Sequence, residues 1–378
     1  MPEPVYVTRP TLPSLERFRE SLEQVWDSRV LTNGGAFHQR LEAALCARLG
    51  VEHLSLFCNG TIALLVALQA LRVSSGEVIT TPFTFPATPH VLHWNGVTPV
   101  FCDIDPVTFN LCPEQVEALI TPRTLAILPV HVFGQPCDVE ALARISNRHG
   151  LRLIYDAAHA FGVRAGGRSI ASFGDLTMLS FHATKLFTTI EGGALVSGSA
   201  ALKARIDFLK NFGIADEETV VGPGINGKLN ELQSAFGLLQ LEQVDVEIAA
   251  RRAVSARYRA RLAGLPGLRL PPLDAPGVES NCSYFPVLVD RERFGLDRDA
   301  LYAALKLFDV HARKYFHPLC SQIPAYRALP SAAPDRLPVA ERVARQVLCL
   351  PIYGQLRPDV VERIADILWA LHERASRG

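Results

Sequence analysis

The sequence predicts an α/β protein: a mainly parallel sheet covered by helices on both faces, followed by a smaller C-terminal α+β region. Three observations carry this expectation. From about residue 38 to residue 250, short apolar runs alternate with stretches of helical periodicity, the pattern of parallel strands joined by crossover helices. A long helical stretch at 230–262 then leads away from that alternation. After it, residues 265–278 are dense in Pro and Gly, which marks a boundary. The expected division is a large domain over 1–250, N-terminal segment included, and a small one over 251–378.

Residues 38–49 have helical periodicity and end at Gly50. The apolar run 54–58 reads as a strand, and Asn59-Gly60-Thr61 then opens a helix over 62–71. Further strands are expected at 77–80, 98–102, 125–130, 151–155, 176–180 and 193–196, with helices at 113–120 and 139–149 between them. The Glu-rich and Arg-rich faces of 230–262 suggest a solvated connector rather than a core helix. Beyond the boundary, 284–289 reads as a strand, and 297–306 and 359–374 as helices.

Bulk properties exclude several classes. The 378 residues are enough for a large core, and 48% are apolar, as in folded globular proteins. Lys plus Arg (38) equals Asp plus Glu (38), so no cationic surface suits non-specific binding of nucleic acid or acidic membrane. The eight cysteines are scattered without CxxC or metal-like spacing. That pattern suits reduced packing cysteines in a cytoplasmic protein better than a disulfide framework or a metal site. No signal-peptide pattern opens the chain, and no apolar run approaches the roughly 20 residues that span a bilayer.

Four segments carry candidate chemistry. In the first, 151–160, a buried strand ends at Asp156, placing a carboxylate at the carboxyl edge of the sheet, where open α/β folds bind ligands. There it can pair with a protonated ring nitrogen, or simply cap the next turn. His159 follows three residues later. In the second, Ser180-Phe-His-Ala-Thr-Lys185 is followed by Glu191-Gly-Gly, so Lys185 lies just past a strand end among small and hydroxylated neighbours. Such a lysine can be desolvated and nucleophilic, and Ser180 can donate to phosphate. In the third, the N–H groups after Asn59, with Gly60 and the Thr61 hydroxyl, form an anion site at a helix N-terminus. In the fourth, Phe85 of Thr81-Pro-Phe-Thr-Phe-Pro-Ala-Thr88 can stack on a planar ring or merely pack. An imine-forming amine, an acid for a ring nitrogen, a stacking face and phosphate donors are together what pyridoxal 5'-phosphate requires.

The strings Tyr-Asp-Ala-Ala-His-Ala-Phe-Gly (155–162) and Ser-Phe-His-Ala-Thr-Lys…Glu-Gly-Gly (180–193), in that order and separation, resemble the DegT/DnrJ/EryC1/StrS family of nucleotide-sugar aminotransferases. The resemblance extends from Leu-Thr-Asn-Gly-Gly (31–35) to the C-terminal region. It implies a fold-type-I, aspartate aminotransferase-like architecture and a homodimer with shared active sites. By resemblance, Lys185 is the Schiff-base lysine and proton shuttle, Asp156 contacts the pyridine nitrogen, and His159 stands where many members carry glutamine. Gly60, Thr61 and Ser180 would hold the phosphate, Phe85 would stack on the ring, and Asn226 of Gly-Ile-Asn-Gly-Lys-Leu-Asn-Glu (224–231) would reach the phosphate from the partner subunit.

Glutamate is the implied amino donor and a nucleotide-linked keto sugar the acceptor. The string His-Ala-Arg-Lys-Tyr-Phe-His-Pro-Leu (311–319) resembles the Arg-x-Tyr-Phe-x-Pro stretch of members that act at C4 of 4-keto-6-deoxyhexoses. It nominates Arg313, Tyr315 and Phe316 as substrate contacts, although it can equally be a packed aromatic turn. His317 stands where those relatives often have tyrosine, and Asp309-Val310 replaces their usual Gly-Ile. Asn33 and Gly34 are further candidates for the sugar site. Amination at C3 and a non-catalytic regulatory role on the same fold are the alternatives. A dehydratase branch is disfavoured, because those relatives replace the lysine with histidine.

Overall fold

The computed structural model describes residues 3–272 and 275–377. Its central sheet has seven strands: β1 (His53–Phe57), β2 (Glu77–Thr80), β3 (Thr98–Phe101), β4 (Thr124–Leu128), β5 (Arg152–Asp156), β6 (Leu176–Ser180) and β7 (Gly193–Ser197). Their spatial order is β1-β7-β6-β5-β4-β2-β3. Every pairing is parallel except those of β7, which runs antiparallel to β1 and β6. The other strands therefore share one carboxyl edge, and β7 begins there, with Gly193 opposite both Phe57 and Ser180.

The strands read as nearly continuous apolar runs because both faces of the sheet are covered. Leu56, Ile79, Ile127, Leu153, Tyr155 and Leu179 face one core cluster. Their neighbours Phe57, Val78, Leu128, Ile154 and Met178 face another, as the two-residue period of a strand dictates. Burying each such large side chain contributes about 1.5–3 kcal/mol. Outside α1 (Leu15–Ser28), whose Val25 clusters with Phe37, the covering helices include α2 (Ala36–Leu49), α3 (Gly60–Ala70), α4 (Ala87–Trp94), α5 (Pro113–Ala118), α6 (Val139–His149) and α7 (Ala200–Leu209). Local chemistry sets their ends: Asp138 caps α6 by accepting the N–H of Ala141, and Gly150, at φ 63°, closes it.

The 230–262 stretch departs from expectation. It breaks into α8 (Glu231–Leu241) and α9 (Val244–Leu262), and neither is a solvated connector. Ala235, Phe236, Leu239, Ile248, Val254, Tyr258 and Leu262 are buried. Two of the charges are themselves interior: Glu247 and Arg251, one turn apart, pair at 2.6 Å with 7% and 3% of their side chains exposed.

After α9 comes an antiparallel sheet of β8 (Leu268–Arg269), β9 (Phe285–Val289) and β10 (Val347–Leu350), with α10 (Arg298–Leu307), α11 (Pro338–Gln346) and α12 (Pro358–Ser376). The second half of α9 and most of these elements share one core cluster. The start of the chain joins that cluster rather than the large sheet: Val5–Tyr6 pairs with Val310–His311. A further cluster bridges the two parts, with Phe83, Phe109 and Phe133 packed against Leu288, Phe316 and Tyr326. Residues 315–316 are thereby pressed against the carboxyl edge of the large sheet. Among the described residues, no helix is long and apolar enough to cross a membrane.

Candidate active site

A cleft of about 280 Å³ opens at that carboxyl edge. The turn from β1 into α3 supplies Asn59, Gly60 and Thr61, and the approach to α4 with its first turn supplies Thr84, Phe85 and Thr88. The end of β5 and the turn after it supply Asp156 and His159, the end of β6 Ser180, the β6–β7 connection His182, Lys185 and Glu191, and the second part Tyr284, Tyr315 and Phe316.

Asp156, the last residue of β5, is 5% exposed. One carboxylate oxygen accepts the Thr88 hydroxyl at 2.9 Å and the other the N–H of Ala158 at 3.0 Å. Thr88 in turn shares a 3.0 Å hydrogen bond with Thr84. Burial pushes the Asp156 carboxyl up from its ordinary range, against the lowering pull of the Ala158 N–H, the Thr88 hydroxyl and Lys185. No cation within ion-pairing distance is present among the described residues, so the site holds a buried acid that a cationic ring nitrogen would neutralise.

Lys185 sits in the β6–β7 connection, which folds back on itself. Phe181 accepts the N–H of Thr189 at 3.0 Å and the hydroxyl of Thr188 at 2.9 Å through its carbonyl. Beneath the turn, Phe187 stacks on Phe161 at 4.6 Å and meets Phe181 edge-on at 4.8 Å, contacts of about 0.5–1.5 kcal/mol each beyond area burial. The loop is thus held rigid while the amine stays in the cleft. Burial lowers the Lys185 pKa, while Asp156 and Tyr315 raise it, so the neutral, nucleophilic amine is more accessible than in a surface lysine.

His159 is 4% exposed. Its Nδ1 lies 3.3 Å from the N–H of Phe133 and accepts from it, which leaves the ring proton on Nε2. The ring lies parallel to Phe316 at 5.7 Å and meets Tyr284 at 4.8 Å. Burial, Lys185 and His131 hold its pKa well below the usual histidine value, so it stays a neutral donor.

The opposite end of the cleft suits a phosphate. Asn59 caps α3 by accepting the N–H of Ile62 at 2.8 Å. This leaves other N–H groups of the first turn, with the Thr61 and Ser180 hydroxyls, around an anion-binding helix terminus. The glycines here leave no room for a side chain: a Cβ on Gly60 would lie 2.9 Å from Met178 Sδ, and one on Gly193 2.7 Å from the Gly60 nitrogen. Acid, amine, neutral histidine donor and phosphate seat together fit pyridoxal phosphate.

Gly60, Thr61, Phe85, Asp156, His159, Ser180, Lys185, Tyr315 and Phe316 are thus gathered in one cleft. Four other nominated residues line no part of it. Asn33, at φ 65°, and Gly34 lie between α1 and α2. Asn226 is exposed on the loop before α8, and Arg313 is exposed, its backbone paired with Cys349. Two contacts escape sequence reasoning. Thr88 was visible only as part of a string, and Tyr284 only as the start of a strand; neither has a local signal for the partner it meets.

The model of the DegT/DnrJ/EryC1/StrS aminotransferase family matches residues 14–369. The dTDP-4-amino-4,6-dideoxy-D-glucose transaminase of Escherichia coli is 49% identical, covering 96% of this chain and 97% of that one. The GDP-perosamine synthase of Caulobacter vibrioides is 34% identical, covering 95% and 96% respectively. Among solved structures, DesI in the presence of its TDP-sugar product superposes with a TM-score of 0.94 at 40% identity, covering all of this chain and 95% of that one.

Proposed function

The chain belongs to the DegT/DnrJ/EryC1/StrS aminotransferase family, and we propose that it is a pyridoxal-phosphate enzyme that carries an amino group from glutamate to C4 of a dTDP-linked 4-keto-6-deoxyhexose. The observation that carries the chemistry is the joint burial of Asp156 and Lys185 in one cleft. The sugar is supported by the relative at 49% identity, whose name describes a dTDP-linked 4-amino-4,6-dideoxy sugar.

When bound, the cofactor supplies an electron sink for charge developing at the carbon that bears nitrogen. Asp156 holds the ring nitrogen's proton by charge pairing, and Thr88 and Ala158 orient its carboxylate. Gly60, Thr61 and Ser180 would seat the phosphate, Phe85 would cover the ring and His159 would offer its Nε2–H. Lys185 Nζ anchors the cofactor. When released, it would move a proton off the donor's α-carbon in the first half-reaction and deliver one to C4 of the sugar in the second. Phe316 and Tyr315 wall the side of the cleft from the second part, where the sugar enters.

The assembly is a homodimer in this reading. Exposed Phe85, Ile190, Phe212 and Ile225 leave apolar surface on the cleft's rim and neighbouring loops, and the Asn226 loop adjoins the phosphate end, with Gly227 accepting the Cys58 N–H at 2.8 Å. Asn226, Asn33, Gly34 and Arg313 would complete a neighbouring subunit's site or the outer sugar site. The enzyme would work in the cytoplasm.

The test is incubation with pyridoxal phosphate, glutamate and dTDP-4-keto-6-deoxyglucose, with the product examined by mass and NMR. A sugar aminated at C4 is expected. Amination at C3 would overturn the regiochemistry. Glutamate-dependent bleaching of the cofactor band without an amino sugar would overturn the substrate alone.

A further inference from the structure

Lys185 has a partner that comes from far along the chain. Its Nζ donates to Tyr284 Oη at 3.3 Å, and Tyr284 belongs to the segment entering β9, on the far side of the Pro- and Gly-dense boundary. Several contacts fix the phenol in place. Its ring meets His159 at 4.8 Å, Phe133 at 5.5 Å and Tyr315 at 5.8 Å. The backbone just before it is pinned by Asn281, whose side-chain amide donates to the carbonyls of His159 and Phe161 at 2.9 and 3.0 Å. The same Asn281 accepts the N–H of Ser283 at 3.0 Å. A rigid hydroxyl is thus held over the amine by a second part of the molecule.

We propose that Tyr284 is the positioning residue for Lys185: its hydroxyl receives the ε-amino group when that group is free of the cofactor and favours its charged form. This rests on the pyridoxal-phosphate reading above. At 3.3 Å the bond is longer than the usual charge-assisted 2.7–2.9 Å, so Nζ can swing toward the reacting carbon and return. Burial raises the Tyr284 pKa far above its ordinary value, so the group remains a phenol throughout the working range. A phenol can accept from an ammonium and donate to an amine, and the bond to the charged form is the stronger. Tyr284 therefore opposes the desolvation that lowers the Lys185 pKa. The other titratable groups acting on Lys185 are Asp156 and Tyr315, which raise its pKa, and His159, which is neutral.

Tyr284→Phe keeps the ring and removes only the hydroxyl. In the full-length chain without cofactor, the pH dependence of Lys185 acetylation, read by peptide mass spectrometry, should shift its midpoint about one unit lower, the size of one lost charge-assisted hydrogen bond. In the loaded variant, the glutamate half-reaction should slow about tenfold, with the cofactor still attached to Lys185. An unchanged or raised midpoint overturns the proposal, because a merely structural tyrosine would leave it in place. Should Tyr284→Phe misfold, 3-fluorotyrosine at position 284 alone, a weaker acceptor of the same shape, should move the midpoint the same way by less. Wild-type protein that takes up no cofactor at Lys185 would overturn the cofactor reading, and this proposal with it, whatever the midpoint does.

Discussion

Two buried acid–base pairs in this molecule are treated in opposite ways. On α9, Glu247 and Arg251 are joined at 2.6 Å, and each makes further hydrogen bonds. Glu247 also accepts the N–H of Gly354 and the hydroxyl of Thr11, both at 2.9 Å. Arg251 reaches the carbonyls of Ser283 and Ile352 at 3.4 and 3.5 Å. In the cleft, Asp156 and Lys185 influence one another's ionisation but make no ion pair within 4.0 Å among the described residues. The first pair is closed and ties α9 to the second part of the chain. The second is open, each member left with unfilled capacity that a ligand can take up. Burial alone therefore does not mark a functional charge; burial without an ion-pair partner does.

That contrast can be broken most sharply by substitution. Lys185→Ala should lower turnover by about 10³-fold or more while leaving the cofactor-free chain as stable as wild type or more so, since a desolvated amine is removed. Activity assays beside denaturant unfolding check both halves. Arg251→Ala should do the reverse, costing about 3–5 kcal/mol of stability because Glu247 is left buried and unpaired. An unfolding free energy that falls by less than about 1 kcal/mol in Arg251→Ala would erase the distinction between the pairs.

A smaller effect should appear with pH. His131 is fully buried, and desolvation pushes its pKa down to about 3. Its folded pKa lies below the unfolded one, so its share of stability is complete above about pH 6.5 and lost as pH falls toward 3. Between pH 7 and pH 5 the loss from this group should be about 2 kcal/mol, and His131→Gln should flatten that slope in denaturant titrations at the two pH values. Asp156 acts in the opposite sense, because its raised pKa makes protonation easier in the folded chain. The smallest effect is expected from Thr88→Val, which removes one of the two bonds orienting Asp156. Turnover should fall about tenfold, a loss near 1.4 kcal/mol, with little change in stability.

The strands of the large sheet were legible because each is a short apolar run between turn residues, and Asp156 and Lys185 because both sit at strand ends within dense local strings. What was not legible depends on contacts across the chain. The charges of α9 look solvated until Thr11 and Gly354 arrive from elsewhere to satisfy them. Val5 carries no sign that it pairs beside Val310. Tyr284 reads as one more strand residue until the second part of the molecule is set against the first. Asn33, Gly34, Asn226 and Arg313 were nominated by likeness, and one copy of the chain does not bring them to the cleft.

Lys185, beside an Asp156 that is hydrogen-bonded but has no ion-pair partner among the described residues, is the proposed carrier of the cofactor. The direct measurement is borohydride reduction of the protein loaded with pyridoxal phosphate, which fixes the cofactor to whichever amine holds it, followed by peptide mass mapping. Adduct on the peptide containing Lys185, and its loss in Lys185→Ala, is the predicted result. Adduct on another lysine, or none at all, would contradict the account.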